Sequence, residues 1–316
     1  MNAATKLGVY VLGLAVVFGG ALGVGSAVGD VGPAPAKPEH GTAHSTPAAD
    51  SHGGHEQTTA PAQDDTPGGL QVSQDGYTLN PLTTVKAGEA TDFRFTVTGP
   101  DGRPVTGYQV EHDKKLHFIV VSRDLGTFQH LHPDMAAGGV WSVRLTLDDP
   151  GAYRAFADFA PTGGSGLTLG ADLLVAGDYK PDPLPEVART AEVDGYQVSL
   201  DGDLVPGQAA KLTLSVSKDG EPVTDLQPYL GAYGHLVALR AGDLAYLHVH
   251  PEDSGKAGPE VTFYAEAPSA GDYRLFLDFK HDGKVRTADF TARAGAGQPK
   301  PTAEPGTGPS HDEHTH

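Results

Sequence analysis

Three histidines recur at one spacing in two parts of this chain. The first copy reads Leu116-His117-Phe118-Ile119-Val120-Val121, followed by Phe128-Gln129-His130-Leu131-His132-Pro133. The second reads Gly234-His235-Leu236-Val237-Ala238-Leu239, followed by Tyr246-Leu247-His248-Val249-His250-Pro251. In each copy a single His precedes a His-x-His-Pro by thirteen residues. A duplicated domain keeps its apolar pattern for packing, whereas its polar residues are free to drift. Imidazoles that hold their spacing therefore point to a shared task. Without obvious catalytic partners, the commonest such task is metal binding; the alternative is hydrogen-bonded histidines lining a polar seam or an exposed face.

The rest of the composition narrows the metal chemistry. The chain has no cysteine, and its methionines are Met1 and Met135, so thiolate and thioether-rich Cu(I) sites are excluded. Nitrogen and oxygen ligands remain, which suit Cu(II) or Zn(II). Met135 follows His132-Pro133 in the first copy alone. It is an axial-ligand type, but the thiolate that defines blue-copper geometry is missing. A net charge of -18 opposes binding to nucleic acid or to anionic lipid and favours cations.

Strand geometry explains how the spacing makes a site. In the second copy, a hairpin with Ala241-Gly242 at its tip pairs Arg240 with Asp243. It then sets His235 directly opposite His248, with Cβ atoms about 5 Å apart. His250, two residues on, shares that face. Three imidazoles on one patch match the ligand count of a divalent ion with one open position. In the first copy the equivalent tip is Arg123-Asp124, a weaker turn, so convergence is expected foremost in the second. Asp158 and Asp278 recur in the closing strands Tyr153-Arg154-Ala155-Phe156-Ala157-Asp158-Phe159 and Tyr273-Arg274-Leu275-Phe276-Leu277-Asp278-Phe279. They are candidate fourth ligands or acceptors that orient an imidazole. The favoured alternative is a strand-end turn former or salt-bridge partner. His112 and His281 do not recur and are expected at the surface.

The elements that must hold these residues are strands. Period-two alternation dominates, as in Thr91-Asp92-Phe93-Arg94-Phe95-Thr96-Val97 and Ala210-Lys211-Leu212-Thr213-Leu214-Ser215-Val216. Asp101-Gly102-Arg103-Pro104-Val105-Thr106 matches Asp219-Gly220-Glu221-Pro222-Val223-Thr224. The expected fold is all-β: two tandem sandwiches, immunoglobulin-like or cupredoxin-like, at residues 68–177 and 188–294. A Pro-rich linker at 178–187 joins them.

Residues 1–29 hold an uncharged stretch, Leu7 to Gly29, long enough to span a bilayer. It reads as an uncleaved transmembrane anchor, with a cleaved signal segment and a secreted protein as the alternative; either way the domains are extracytoplasmic. Residues 30–67 and 295–316 are low in complexity and rich in histidine. These tails carry His40, His44, His52, His55, His311, His314 and His316, seven of the fifteen histidines. Having no core to stabilise, they are candidate capture sites for the same ions.

The first motif, His117 to Asp124-Leu125 and on to His130-Leu131-His132-Pro133, and the second, Tyr229-Leu230-Gly231-Ala232-Tyr233-Gly234-His235 to His248-Val249-His250-Pro251, together resemble a group of proteins. These are exported bacterial tandem β-sandwich proteins labelled heavy-metal-associated or copper-related. The resemblance covers residues 70 to 294. It implies extracytoplasmic sandwiches, with His117, His130, His132, His235, His248 and His250 as the matching positions. The expectation is a membrane-tethered binding protein for copper or zinc, with metal ions and a membrane metal transporter or other envelope protein as partners. A metal-free module that binds a protein partner is the alternative. A copper- or zinc-dependent enzyme ranks third, because no acid or base accompanies the histidines in both halves.

Overall fold

In a computed structural model of the protein, residues 66–252 and 255–295 are described. The expected span at 7–29, the tether at 30–65 and His311, His314 and His316 lie outside them. Among the described residues every regular element is a strand. None of their helices is long and apolar enough to cross a membrane.

The first half forms β1 (Ser73–Gln74), β2 (Tyr77–Pro81), β3 (Thr91–Thr98), β4 (His117–Ser122), β5 (Phe128–Leu131), β6 (Asp134–Met135), β7 (Val140–Leu145), β8 (Gly151–Phe159) and β9 (Leu167–Val175). The second forms β10 (Thr190–Val193), β11 (Tyr196–Asp201), β12 (Ala209–Lys218), β13 (Glu221–Pro222), β14 (Gly234–Arg240), β15 (His248–Pro251), β16 (Glu260–Glu266), β17 (Gly271–His281) and β18 (Lys284–Ala294).

Each half is a two-sheet sandwich. In the first, sheet β1-β2-β3-β7-β6 faces sheet β5-β4-β8-β9; in the second, β10-β11-β12-β16-β15 faces β14-β17-β18. The strand order is that of immunoglobulin-like domains, and both expected sandwiches form. One core gathers Phe93, Phe95, Phe118 and Trp141, with Phe95 stacked on Phe118 at 4.6 Å. The other gathers Tyr196, Phe263, Phe279 and Phe290. Alternation explains both, because inward residues are apolar and outward ones polar along β12.

The strands that carry the first histidine depart from alternation. All six residues of β4 are buried. Phe118 and Val120 enter the first core, while Ile119 and Val121 point the other way. Along β14, Leu236 and Ala238 enter the second core, while Val237 and Leu239 point outward. These outward faces meet. Ile119, Val121, Leu125, Phe156, Val237, Leu239, Leu244 and Phe276 make a third apolar cluster between the sandwiches. The contacts are reciprocal: Phe128 stacks on Phe276 at 4.1 Å, and its counterpart Tyr246 lies against Phe156 at 5.6 Å. Both sandwiches belong to one compact unit.

A short strap closes the seam. Tyr246 N–H donates to the Gly68 carbonyl at 2.9 Å and Gly69 N–H to the Thr168 carbonyl at 2.7 Å. Arg154 donates to the carbonyls of Gly69 and Leu70 at 2.8 and 2.9 Å. A Cβ at Gly170 would strike the Gly69 carbonyl oxygen, so the strap runs where only glycine leaves room.

Candidate metal centre

The two copies of the histidine pattern diverge at one strand. In the first half the hairpin closes with Ser122 N–H on the Thr127 carbonyl, and β5 pairs with β4 so that Phe118 faces Leu131 and Ile119 faces His130. Paired residues share a face, so His130 stands with Ile119 on the seam side, and His117 and His132 lie on that same side by alternation. In the second half the hairpin opens in the same register, with Arg240 N–H on the Ala245 carbonyl and Leu247 N–H on the Ala238 carbonyl. The chain then crosses to the opposite sheet. β15 pairs with β16, and His248 faces Glu266. His235 therefore does not face His248; its cross-strand partner is Asp278 of β17. Spacing fixes a hairpin locally but not which of two adjacent sheet edges its second strand joins. The convergence expected in the second copy is found in the first.

One nitrogen from each of His117, His130 and His132 lies within 4.8 Å of the other two. Ring centroids are 5.3 Å apart for His117–His130, 5.2 Å for His117–His132 and 4.8 Å for His130–His132. Three imidazoles bound tetrahedrally at metal–nitrogen distances of 2.0–2.1 Å place their centroids about 5.3 Å apart. Among the described residues no other three potential ligands are so gathered.

Hydrogen bonds fix the tautomers. His117 Nε2 lies 3.2 Å from the Glu111 carbonyl, which only accepts, so the hydrogen of neutral His117 sits on Nε2. His130 Nδ1 lies 2.8 Å from Asp278 Oδ2, so His130 carries its hydrogen on Nδ1. The nitrogens left over, His117 Nδ1 and His130 Nε2, face each other at 3.1 Å. With both rings neutral, two lone pairs confront one another there, at the separation of ligands on a common ion. His132 Nε2 is buried and has no hydrogen-bond partner. His132 Nε2 thus lacks a partner beside the closely approaching nitrogens of His117 and His130, a set that a bound cation would satisfy.

Burial keeps His117 and His132 neutral. Burial, reinforced by His130, pushes His117 down to about 4, against the opposing pull of the Glu111 carbonyl. Burial, then His130 and His117, pushes His132 down to about 3. Burial also lowers His235, although its Nε2 donates to the Tyr229 carbonyl at 2.7 Å. Neutral imidazole is the ligating form.

The remaining expected residues fall into place around this cluster. Asp278, 3% exposed, comes from the second sandwich; it accepts from His130 and from Thr287 Oγ1 at 2.5 Å. It is the salt-bridge partner of His130, the second of the roles expected for it beside turn former, and in that place it also orients the ring. Asp158 faces His117 across the ladder and accepts from Thr168 at 2.8 Å; burial pushes its carboxyl up to about 6. His235 stands 6.4 Å from His117 and 6.3 Å from His130, centroid to centroid. His112 is exposed, as expected, but its ring edge meets His117 at 6.1 Å and His235 at 5.4 Å. His281 departs from the surface position expected: it is 9% exposed and held by Tyr196 at 2.7 Å and Asp225 at 3.1 Å. Met135 packs on the first core. Where β15 leaves β14, a cavity of about 650 Å³ opens, lined by His117, His130, Asp158, His235 and His250 among others. The sequence reading missed the seam and the cross-domain role of Asp278. The unbroken apolar runs Phe118–Val121 and Leu236–Leu239 were the available signal, since they require both strand faces to be buried.

Residues 71–175 and 191–296 each match the profile of a domain of unknown function, DUF8832. No curated protein matches the sequence. Among solved structures, the Escherichia coli adhesin FdeC is similar at 15% identity and a TM-score of 0.24, over 71% of this chain and 65% of that one. InvD of Yersinia pseudotuberculosis is similar at 15% identity and 0.24, over 72% and 62%. A chimeric titin Z1Z2 tandem is similar at 17% identity and 0.18, over 68% and 97%. The chain thus spans less than two thirds of the two bacterial structures. Likeness at this level carries nothing about ligands.

Proposed function

The chain belongs to the DUF8832 family, whose domain it carries twice, and we propose that this tandem module binds a divalent metal ion, copper or zinc, through His117, His130 and His132. The observation that carries the reading is the pair of ring nitrogens of His117 and His130 at 3.1 Å, with the unpartnered His132 Nε2 beside them. The three histidines stand at the seam between the sandwiches, where His117 is buried and the other two are half-buried. The histidines of both tails would gather the ion near the membrane, outside the cytoplasm, for transfer to a transporter or another envelope protein. The role is binding rather than catalysis.

The test is calorimetric titration of the chain with Cu(II) and Zn(II), after replacing its seven tail histidines with alanine. Sub-micromolar binding of one ion, lost in His130→Ala and His132→Ala, is the expected result. No binding by this background would reject the reading.

A second reading is a metal-free module that meets a protein partner. The His130–Asp278 bond favours it, because this contact joins the sandwiches without any ion. Under that reading the same titration gives no heat, and His132→Ala leaves the chain as stable as before.

A further inference from the structure

We infer that the ion is shared between the two sandwiches: His235 of the second completes the coordination begun by the three histidines of the first, and binding locks the seam. The inference rests on the metal reading of the cluster. It uses residues that no ligand set drawn from one half would contain.

His235 is placed by the same device as His117. His117 donates Nε2–H to the carbonyl of Glu111, six residues before it. His235 donates Nε2–H to the carbonyl of Tyr229, also six residues before it. Each ring is thereby fixed with its Nδ1 lone pair free of hydrogen. In the first half that lone pair meets His130. In the second half β15 has crossed to the other sheet, and the hairpin of its own domain no longer continues along β14 to cover His235. The His235 ring instead lies across the seam from the first domain's cluster, 6.4 Å from His117 and 6.3 Å from His130. Those separations exceed the about 5.3 Å of a tetrahedral set by about 1 Å, a gap that closer approach of the two sandwiches on binding supplies.

The second tie is Asp278. It lies beside His235 across the β14–β17 ladder and accepts the Nδ1–H of His130. The second sandwich thus supplies both a ligand and the acceptor that aims another ligand. The first sandwich supplies three ligands and no carboxylate to His130. Neither half holds the whole site. An ion bound here interacts with both, so its binding free energy and that of the seam are coupled, and the coupling is reciprocal. The linker between β9 and β10 contains no strand, and its Leu184 packs against the seam cluster.

The experiment uses the full chain with the tail histidines replaced by alanine. The chain has no cysteine, so Leu174→Cys on the first sandwich and Glu221→Cys on the second, both exposed, accept a fluorophore pair. Zn(II) is added while affinity and the single-molecule transfer distribution are read together. The expected result is narrowing of the distribution on binding. His235→Ala then binds about tenfold more weakly and no longer narrows it, while His235→Gln, which keeps the volume, behaves alike. Binding with an unchanged distribution in the parent, or unchanged affinity in both His235 variants, overturns the shared site and leaves the three-histidine site standing. Absence of any binding overturns both.

Discussion

His130 and Asp278 are 148 residues apart and belong to different sandwiches, yet they meet at 2.8 Å with side chains 6% and 5% exposed. The bond orients the imidazole and crosses the domain boundary at the same time.

Asp278→Asn removes the negative acceptor while keeping its shape. Loss of such an orienting carboxylate lowers metal affinity about 10–100-fold. Zn(II) titration of this variant should show that loss with little change in fold by circular dichroism. Unchanged affinity would mean that His130 is aimed by packing alone.

The two halves should respond unequally. His132→Ala removes a ligand and should abolish tight binding. His250→Ala removes an exposed residue from the rim of the cavity and should shift affinity by less than about threefold. Parallel competition assays with a colorimetric chelator separate the two outcomes.

Acid should destabilise the metal-free protein. His117 and His132 titrate near 4 and 3 when folded and near 6.5 when unfolded, so the unfolded chain binds more protons below pH 6.5. Their contribution is complete above that pH and is lost as pH falls towards 3. Asp158 works in the opposite sense. Its carboxyl, raised to about 6 from 3.8, costs stability when ionised, and that cost is relieved between pH 6 and 3.8. Two imidazoles with wide shifts outweigh one carboxyl. The melting temperature should fall on the order of 10 °C between pH 7 and 4.5. A flat or rising profile would contradict the burial of neutral histidines.

Phe276→Ala deletes a ring that stacks on Phe128 and sits in the seam rather than in either core. The expected cost is about 3–5 kcal/mol. Because the loss falls between domains, scanning calorimetry should resolve two transitions where the parent gives one.

The strands, the duplication and the turns were legible because each depends on neighbours in sequence. Alternation along β12 gives a strand whatever it packs against. The register of both hairpins and the choice of edge by β15 were not legible, because they depend on which sheet lies alongside. The clustered residues His117, His130 and His132 were readable from their type and spacing. Asp278 was readable as a recurring carboxylate but not as a partner of His130, since no local pattern records a contact across 148 residues. His281 looked solitary in sequence, and only the fold brings it to Tyr196 and Asp225.

The strap at Gly68–Leu70 gives the seam a mechanical role. Its carbonyls are held by Tyr246 of one sandwich and Arg154 of the other. A load applied ahead of Thr66 therefore reaches the seam before it reaches either core. The few bonds of the strap would peel one after another, like the leading edge of a zipper. Tension on the chain's leading segment is thus passed to both sandwiches at the edge of the seam that the apolar cluster holds together.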